Sequence, residues 1–142
     1  MYDRKAAVEL LLECENIDAD SKDTDAVKLL LECEGVNVDS KGNNGRTPLL
    51  WTAVYGNWTT MKLLLGCEGV NANWRDNDGR TPLSWASAAP NGDQTVLNLL
   101  LEREGVDVNS KDNDGRTPLS WARSEYRNEA TIQLLVEHGG VD

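Results

Sequence analysis

Hydrophobic residues recur along the chain in two alternating phrases. One is a short apolar run, at Leu10-Leu11-Leu12, Val27-Lys28-Leu29-Leu30-Leu31, Met61-Lys62-Leu63-Leu64-Leu65, Val96-Leu97-Asn98-Leu99-Leu100-Leu101 and Ile132-Gln133-Leu134-Leu135-Val136. The other is a polar turn that leads into a second apolar segment, at Asn44-Gly45-Arg46-Thr47-Pro48-Leu49, Asp78-Gly79-Arg80-Thr81-Pro82-Leu83 and Asp114-Gly115-Arg116-Thr117-Pro118-Leu119. Its threonines are 34 and 36 residues apart, the period of an array of stacked units. Each full unit holds two apolar segments, which predicts two short helices per unit and an all-α fold.

The polar residues of these phrases have local roles. Thr47, Thr81 and Thr117 can each accept a backbone N–H bond as a helix N-cap, and the following proline sits at the first helical position, where its missing donor costs nothing. Gly45, Gly79 and Gly115 follow Asn or Asp in a turn that needs positive φ. Gly35, Gly69, Gly105 and Gly140 fall after the second helix, with Asn16 in the same slot, where a left-handed cap is expected. The next residue, Ile17, Val36, Val70, Val106 or Val141, can pack back on that helix.

In its period, its Thr-Pro-Leu phrase and its glycine caps, nearly the whole chain resembles the ankyrin repeat family. The Thr-Pro-Leu-Ser-Trp-Ala wording at 81–86 and 117–122 is similar to a variant frequent in long fungal ankyrin arrays. The resemblance implies a solenoid of stacked helix-turn-helix units with β-turn fingers. In one respect the chain departs from the family: the His after Thr-Pro-Leu is Leu50, Ser84 or Ser120. The family's Thr–His bond between neighbouring repeats is then expected to be replaced in part by a Ser hydroxyl.

The first two apolar runs, at Leu10 and Leu29, are only 19 residues apart, so the Thr-Pro-Leu helix is absent between them. The expected organisation is one array over 1–142. It has half-units at 1–23 and 24–41 that lack their first helix, followed by full units at 42–75, 76–111 and 112–142. The last apolar run is as hydrophobic as the interior copies, so the ends are expected to meet a partner, each other or neighbouring repeats.

Charge narrows the function. Lys+Arg 14 against Asp+Glu 24 leaves −10 over 142 residues, the wrong sign for neutralising nucleic-acid phosphates. Residues 1–40 carry 11 acids and 4 bases, a net of −7, and residues 41–142 carry 13 and 10, a net of −3. No apolar stretch is long enough to span a membrane and the N-terminus has no signal-peptide run, which makes an intracellular protein, cytoplasmic or nuclear, the expectation.

Three candidate chemistries fail on spacing. Cys14, Cys33 and Cys67 share one repeat position, followed there by Arg103 and His138. Stacked helices are about 8–10 Å apart and a disulfide needs Cα atoms within about 7 Å, so free, partly buried thiols are expected. Asp-Asn-Asp-Gly at 76–79 and 112–115 resembles part of a calcium loop, but the first ligand would be Trp74 or Ser110 and the closing Glu would be Trp85 or Trp121. The same carboxylates are expected in a solvated turn beside Arg80, Lys111 and Arg116, a poor setting for a general acid and base. No catalytic residue, metal or cofactor is expected, and the chain reads as a non-enzymatic interaction protein.

Trp51, Trp85 and Trp121 share one helix position and read as core between repeats, with aromatic edges in the concave groove as the alternative. Trp74 stands on a finger where other copies have Ser21, Ser40 and Ser110, as a binding anchor or packed on its neighbours. The ankyrin resemblance implies partner contacts at finger tips and the concave ends of the first helices. By matching position these are Lys41, Asn43, Asn44, Arg46, Val54 and Tyr55; Arg75, Asn77, Asp78, Arg80, Ala88 and Ala89; and Lys111, Asn113, Asp114, Arg116, Ser124 and Glu125. The expected core of the site is Arg46, Tyr55, Trp74, Arg80, Arg116, Asn43, Asn77 and Asn113, with the three arginines in register for an acidic or extended peptide. The alternative is a part of a larger multidomain ankyrin protein, a sensor or regulator, with no independent activity.

Overall fold

A computed structural model describes residues 37–90, 94–124 and 127–142. Residues 1–36, with the half-unit 1–23 and most of 24–41, lie outside the described residues. The described chain is helical and contains no strand: α1 Pro48–Tyr55, α2 Trp58–Leu65, α3 Pro82–Ser87, α4 Gln94–Leu101, α5 Pro118–Ser124 and α6 Glu129–Glu137.

Each first helix starts at the predicted cap. Thr47 Oγ1 accepts Leu50 N–H at 3.3 Å, Thr81 Oγ1 accepts Ser84 N–H at 3.3 Å, and Thr117 Oγ1 accepts Ser120 N–H at 3.2 Å. The serines close this into a box, because Ser84 Oγ accepts Thr81 N–H at 3.4 Å and Ser120 Oγ accepts Thr117 N–H at 3.3 Å. These Ser hydroxyls act inside their own repeat, so they strengthen a helix start and do not supply the bond between repeats that the resemblance suggested. The second helices α2 and α6 start on asparagine caps. Asn57 Oδ1 accepts Thr60 N–H at 3.0 Å, and Asn128 Oδ1 accepts Thr131 N–H at 3.2 Å.

The first helices stack as α1 on α3 on α5, each pairs with its own second helix, and α2 packs on α4. The apolar phrases supply this core in register. Leu49, Leu83 and Leu119 are buried at one repeat position, and Leu64, Leu100 and Leu135 at another. Each such leucine stabilises by about 1.5–3 kcal/mol through burial. Toward the end the burial thins: Ile132 is half-buried, and Val136 and Val141 are exposed.

The fingers are zipped to one another by asparagine. Asn77 gives its backbone N–H to Asn44 O and its Nδ2–H to Asn43 O, both at 3.0 Å. Asn113 repeats this on Asp78 O and Asn77 O, at 3.0 and 2.9 Å. A second zipper runs behind it: Asn73 Nδ2–H reaches Gly105 O at 2.7 Å, and its Oδ1 accepts Asp107 N–H at 2.9 Å. Asn109 does the same with Gly139 O and Val141 N–H, at 3.1 and 2.8 Å.

One glycine assignment shifts. Gly69 and Gly105 take the expected left-handed conformation, but in the last unit it is Gly139, with φ +84°, and not Gly140. Gly140 is buried with its N–H on Leu135 O at 2.7 Å, which leaves no room there for a side chain.

The finger glycines separate backbone strain from packing. A Cβ on Gly79 (φ +78°) would lie 2.4 Å from Asn113 Oδ1 and 2.8 Å from Asn113 N, whereas one on Gly115 (φ +80°) would meet nothing within 4 Å. Gly115→Ala is expected to cost only the left-handed penalty, about 1 kcal/mol, and Gly79→Ala about 2–4 kcal/mol by breaking the zipper as well. Urea unfolding of the two variants checks the order.

Candidate functional site

The finger arginines and helix tryptophans interleave on the concave side. Arg46 lies between the rings of Trp51 and Trp85, with its guanidinium carbon 4.6 and 4.5 Å from their centroids. Arg80 lies between Trp85 and Trp121 at 4.7 and 4.0 Å, and Arg116 covers Trp121 at 4.8 Å. The result is a continuous alternation of cations and π faces, built because each arginine leaves the finger just before the cap and each tryptophan follows one helical turn later. Each such contact contributes about 0.5–2 kcal/mol, more as it is desolvated.

Buried carboxylates lock the rings. Asp76 Oδ1 accepts the N–H groups of Asp78 and Arg80 at 3.0 and 2.9 Å, and its Oδ2 accepts Trp85 Nε1–H at 2.9 Å. Asp112 repeats the pattern with Asp114 N–H, Arg116 N–H and Trp121 Nε1–H, all at 2.9 Å. The expectation of solvated carboxylates therefore holds for Asp78 and Asp114, which are exposed, and fails for Asp76 and Asp112, which are 7% and 6% exposed. Both carboxylates accept from two backbone donors and one indole donor. In the first finger Gly42 stands at this position; there Asn44 Oδ1 accepts Arg46 N–H at 3.1 Å, and Trp51 stacks on Tyr55 with centroids 5.4 Å apart.

Charge is distributed unevenly among the rungs. Arg46 Nε is 3.7 Å from Asp76 Oδ2. Among the described residues neither Arg80 nor Arg116 has a carboxylate within ion-pair distance, while the buried Nε atoms of Arg46 and Arg80 both lack a hydrogen-bond acceptor. Arg46 and Arg80 are half-buried, while Arg116 is exposed. Arg80 and Arg116, with Trp85, Trp121, Val54, Ala88, Ala89 and Pro90, line an open cavity of about 400 Å³. A second cavity of about 380 Å³ adjoins it through Val54, Ala89 and Pro90 and is walled by Ala53, Tyr55, Gly56, Ala86 and Val96.

The remaining candidates sit around this groove. Tyr55 is 48% exposed on Trp51. Trp74 is exposed, with Lys41 Nζ 4.0 Å above its ring. Asn43, Asn77 and Asn113 are exposed in the finger row, with the Asn77 and Asn113 amides engaged in the zipper. Arg75 Nε–H donates to Gly79 O at 2.9 Å, and its Nη2 reaches Lys111 O, which ties adjacent fingers together.

The position shared by the cysteines serves helix ends. Cys67 Sγ–H lies 3.5 Å from Leu63 O, Arg103 Nη1–H donates to Leu65 O at 2.6 Å, and His138 Nδ1 is 2.9 Å from Leu134 O. Cys67 is a free, half-buried thiol, and burial pushes its pKa up. Cys14 and Cys33 lie outside the described residues. Among the described residues no three His, Cys, Asp or Glu side chains gather as a metal site, and no helix is long and apolar enough to cross a membrane.

Burial alone would raise the pKa of Asp112. Hydrogen bonds from Arg116 N–H, Trp121 and Asp114 N–H, with the charge of Arg116, outweigh it and hold the carboxyl below its ordinary range. A depressed pKa stabilises the fold fully above the unfolded value, about 3.9, and that stabilisation is lost as pH falls through the folded value. Asp112→Asn is expected to destabilise by about 1–3 kcal/mol at neutral pH, with the gap to wild type closing below about pH 4. Urea titrations at several pH values measure this.

A family model described as ankyrin repeats (3 copies) matches residues 16–112 and again residues 86–142. No curated protein matches the chain. The ankyrin repeat is in general a non-enzymatic protein-interaction fold. The matched span, the paired helices and the zipped fingers agree: the chain belongs to the ankyrin repeat family.

Proposed function

We propose that the protein is a non-enzymatic interaction module that holds an extended segment of a partner protein along its finger tips and concave helix face. Its contact residues are Arg46, Tyr55, Trp74, Arg80 and Arg116, with the exposed finger row Asn43, Asn77 and Asn113 beside them. One observation carries the reading: Arg80 and Arg116 open onto a cavity of about 400 Å³ with no carboxylate within ion-pair distance among the described residues. Stacked helices and zipped fingers hold these groups in place before a partner arrives, so little ordering cost falls on the array at binding.

The uncovered last unit supports a second reading, in which a further repeat or a second copy covers this end. A Cβ on Gly115 would meet open space, although Gly45 and Gly79 are both covered by the next finger's asparagine. The chain would then act as a part of a larger array, a sensor or regulator.

Affinity capture with the full chain, beside Arg46→Ala/Arg80→Ala/Arg116→Ala, tests the first reading. Circular dichroism of each protein verifies folding. Loss of about tenfold or more in affinity for the captured partner is the expected result. Unchanged affinity in a folded triple variant overturns the groove reading, and a light-scattering mass above that of one chain favours the second.

A further inference from the structure

We propose that the groove recognises its partner in two parts: a carboxylate held by Arg80 and Arg116, and a bulky apolar side chain of the same segment seated against Ala53, Tyr55, Ala86 and Ala89. This rests on the peptide-binding reading above and adds the chemistry that selects the peptide.

The carboxylate follows from the unequal rungs. Asp76 lies 3.7 Å from Arg46 Nε, whereas Asp112, in the equivalent place, makes no such ion pair with Arg80. Indole faces cover Arg80 on both sides as they do Arg46, and among the described residues the buried Nε–H of each has no acceptor, so the rungs differ in the nearby carboxylate alone. Stacking fixes the plane of a guanidinium without taking up its hydrogen-bond donors, which favours an oxyanion approaching the N–H edge. Arg116, exposed on the next rung, lines the same cavity and supplies a second fork. The chain's charge of −10 disfavours a polyanion, so a single carboxylate from a protein segment fits better than a nucleic-acid backbone.

The apolar part follows from a change between repeats. Ala88-Ala89 stand where the first full unit has Val54-Tyr55, and the missing bulk opens the space beside the cationic cavity. The two cavities share Val54, Ala89 and Pro90, so one extended segment can fill both.

The test pans a displayed library of random dodecapeptides on the full chain and repeats the binding on Ala89→Tyr, which restores the side chain carried at Tyr55 and places it where the two cavities share their lining. Selected peptides are expected to carry Asp or Glu within a few residues of Leu, Ile, Met or Phe. Their affinity should fall about tenfold or more when that acid becomes its amide, when Arg80 and Arg116 become Gln, or on Ala89→Tyr. Peptides lost on Ala89→Tyr but indifferent to their acid overturn this inference and leave the groove reading standing. Peptides unaffected by Ala89→Tyr, or no selected peptide at all, overturn both.

Discussion

A guanidinium held between two indole faces is the constraint on which the concave side depends. Arg46 and Arg80 each bridge one repeat to the next through rings on both sides, so the stack joins finger to helix and unit to unit at once. Asp76 and Asp112 fix the ring orientation through the indole N–H, and the same carboxylates hold the turn from which the next arginine leaves. Finger conformation, ring position and cation position are therefore one coupled unit, repeated along the array.

That coupling separates scaffold from recognition. Most polar groups of the fingers are consumed in holding neighbouring repeats in register, including the Asn77 and Asn113 amides and the Arg75 guanidinium. Among the described residues, the edges of Arg80 and Arg116, the exposed rings of Tyr55 and Trp74, and the space beside Ala88 and Ala89 are not spent in this way. A global charge of −10 hides this local cationic character, because residues 1–40 alone hold −7 of it.

Much of the scaffold was legible in sequence because it is local. Thr-Pro-Leu fixes a cap, a first turn and a buried leucine within three residues, and all three copies behave alike. The last glycine cap was displaced by one residue because Gly139 and Gly140 are adjacent and either satisfies the pattern; the contact of Gly140 with Leu135 O decides it. The Asn57 and Asn128 caps were readable from the same propensity as the threonines but lack a proline to flag them. In the site, the register of Arg46, Arg80 and Arg116 was visible, whereas the burial of Asp76 and Asp112 was not. Asp76 and Trp85 are nine residues apart, as are Asp112 and Trp121, but Trp51 occurs with Gly42 in the same relation, so the pairing is not a constant of the repeat. The opening at Ala88-Ala89 required seeing which face those alanines line.

Coupling between neighbouring units through the cation–indole stack is most directly measured by a double-mutant cycle on Arg80→Met and Trp121→Leu, read by urea unfolding. The Trp121–Asp112 bond is lost in both chains that carry Trp121→Leu and cancels from the cycle. A favourable coupling of about 1 kcal/mol or more is expected. A coupling within about 0.3 kcal/mol of zero contradicts the account, because the rings and guanidiniums would then be neighbours without being partners.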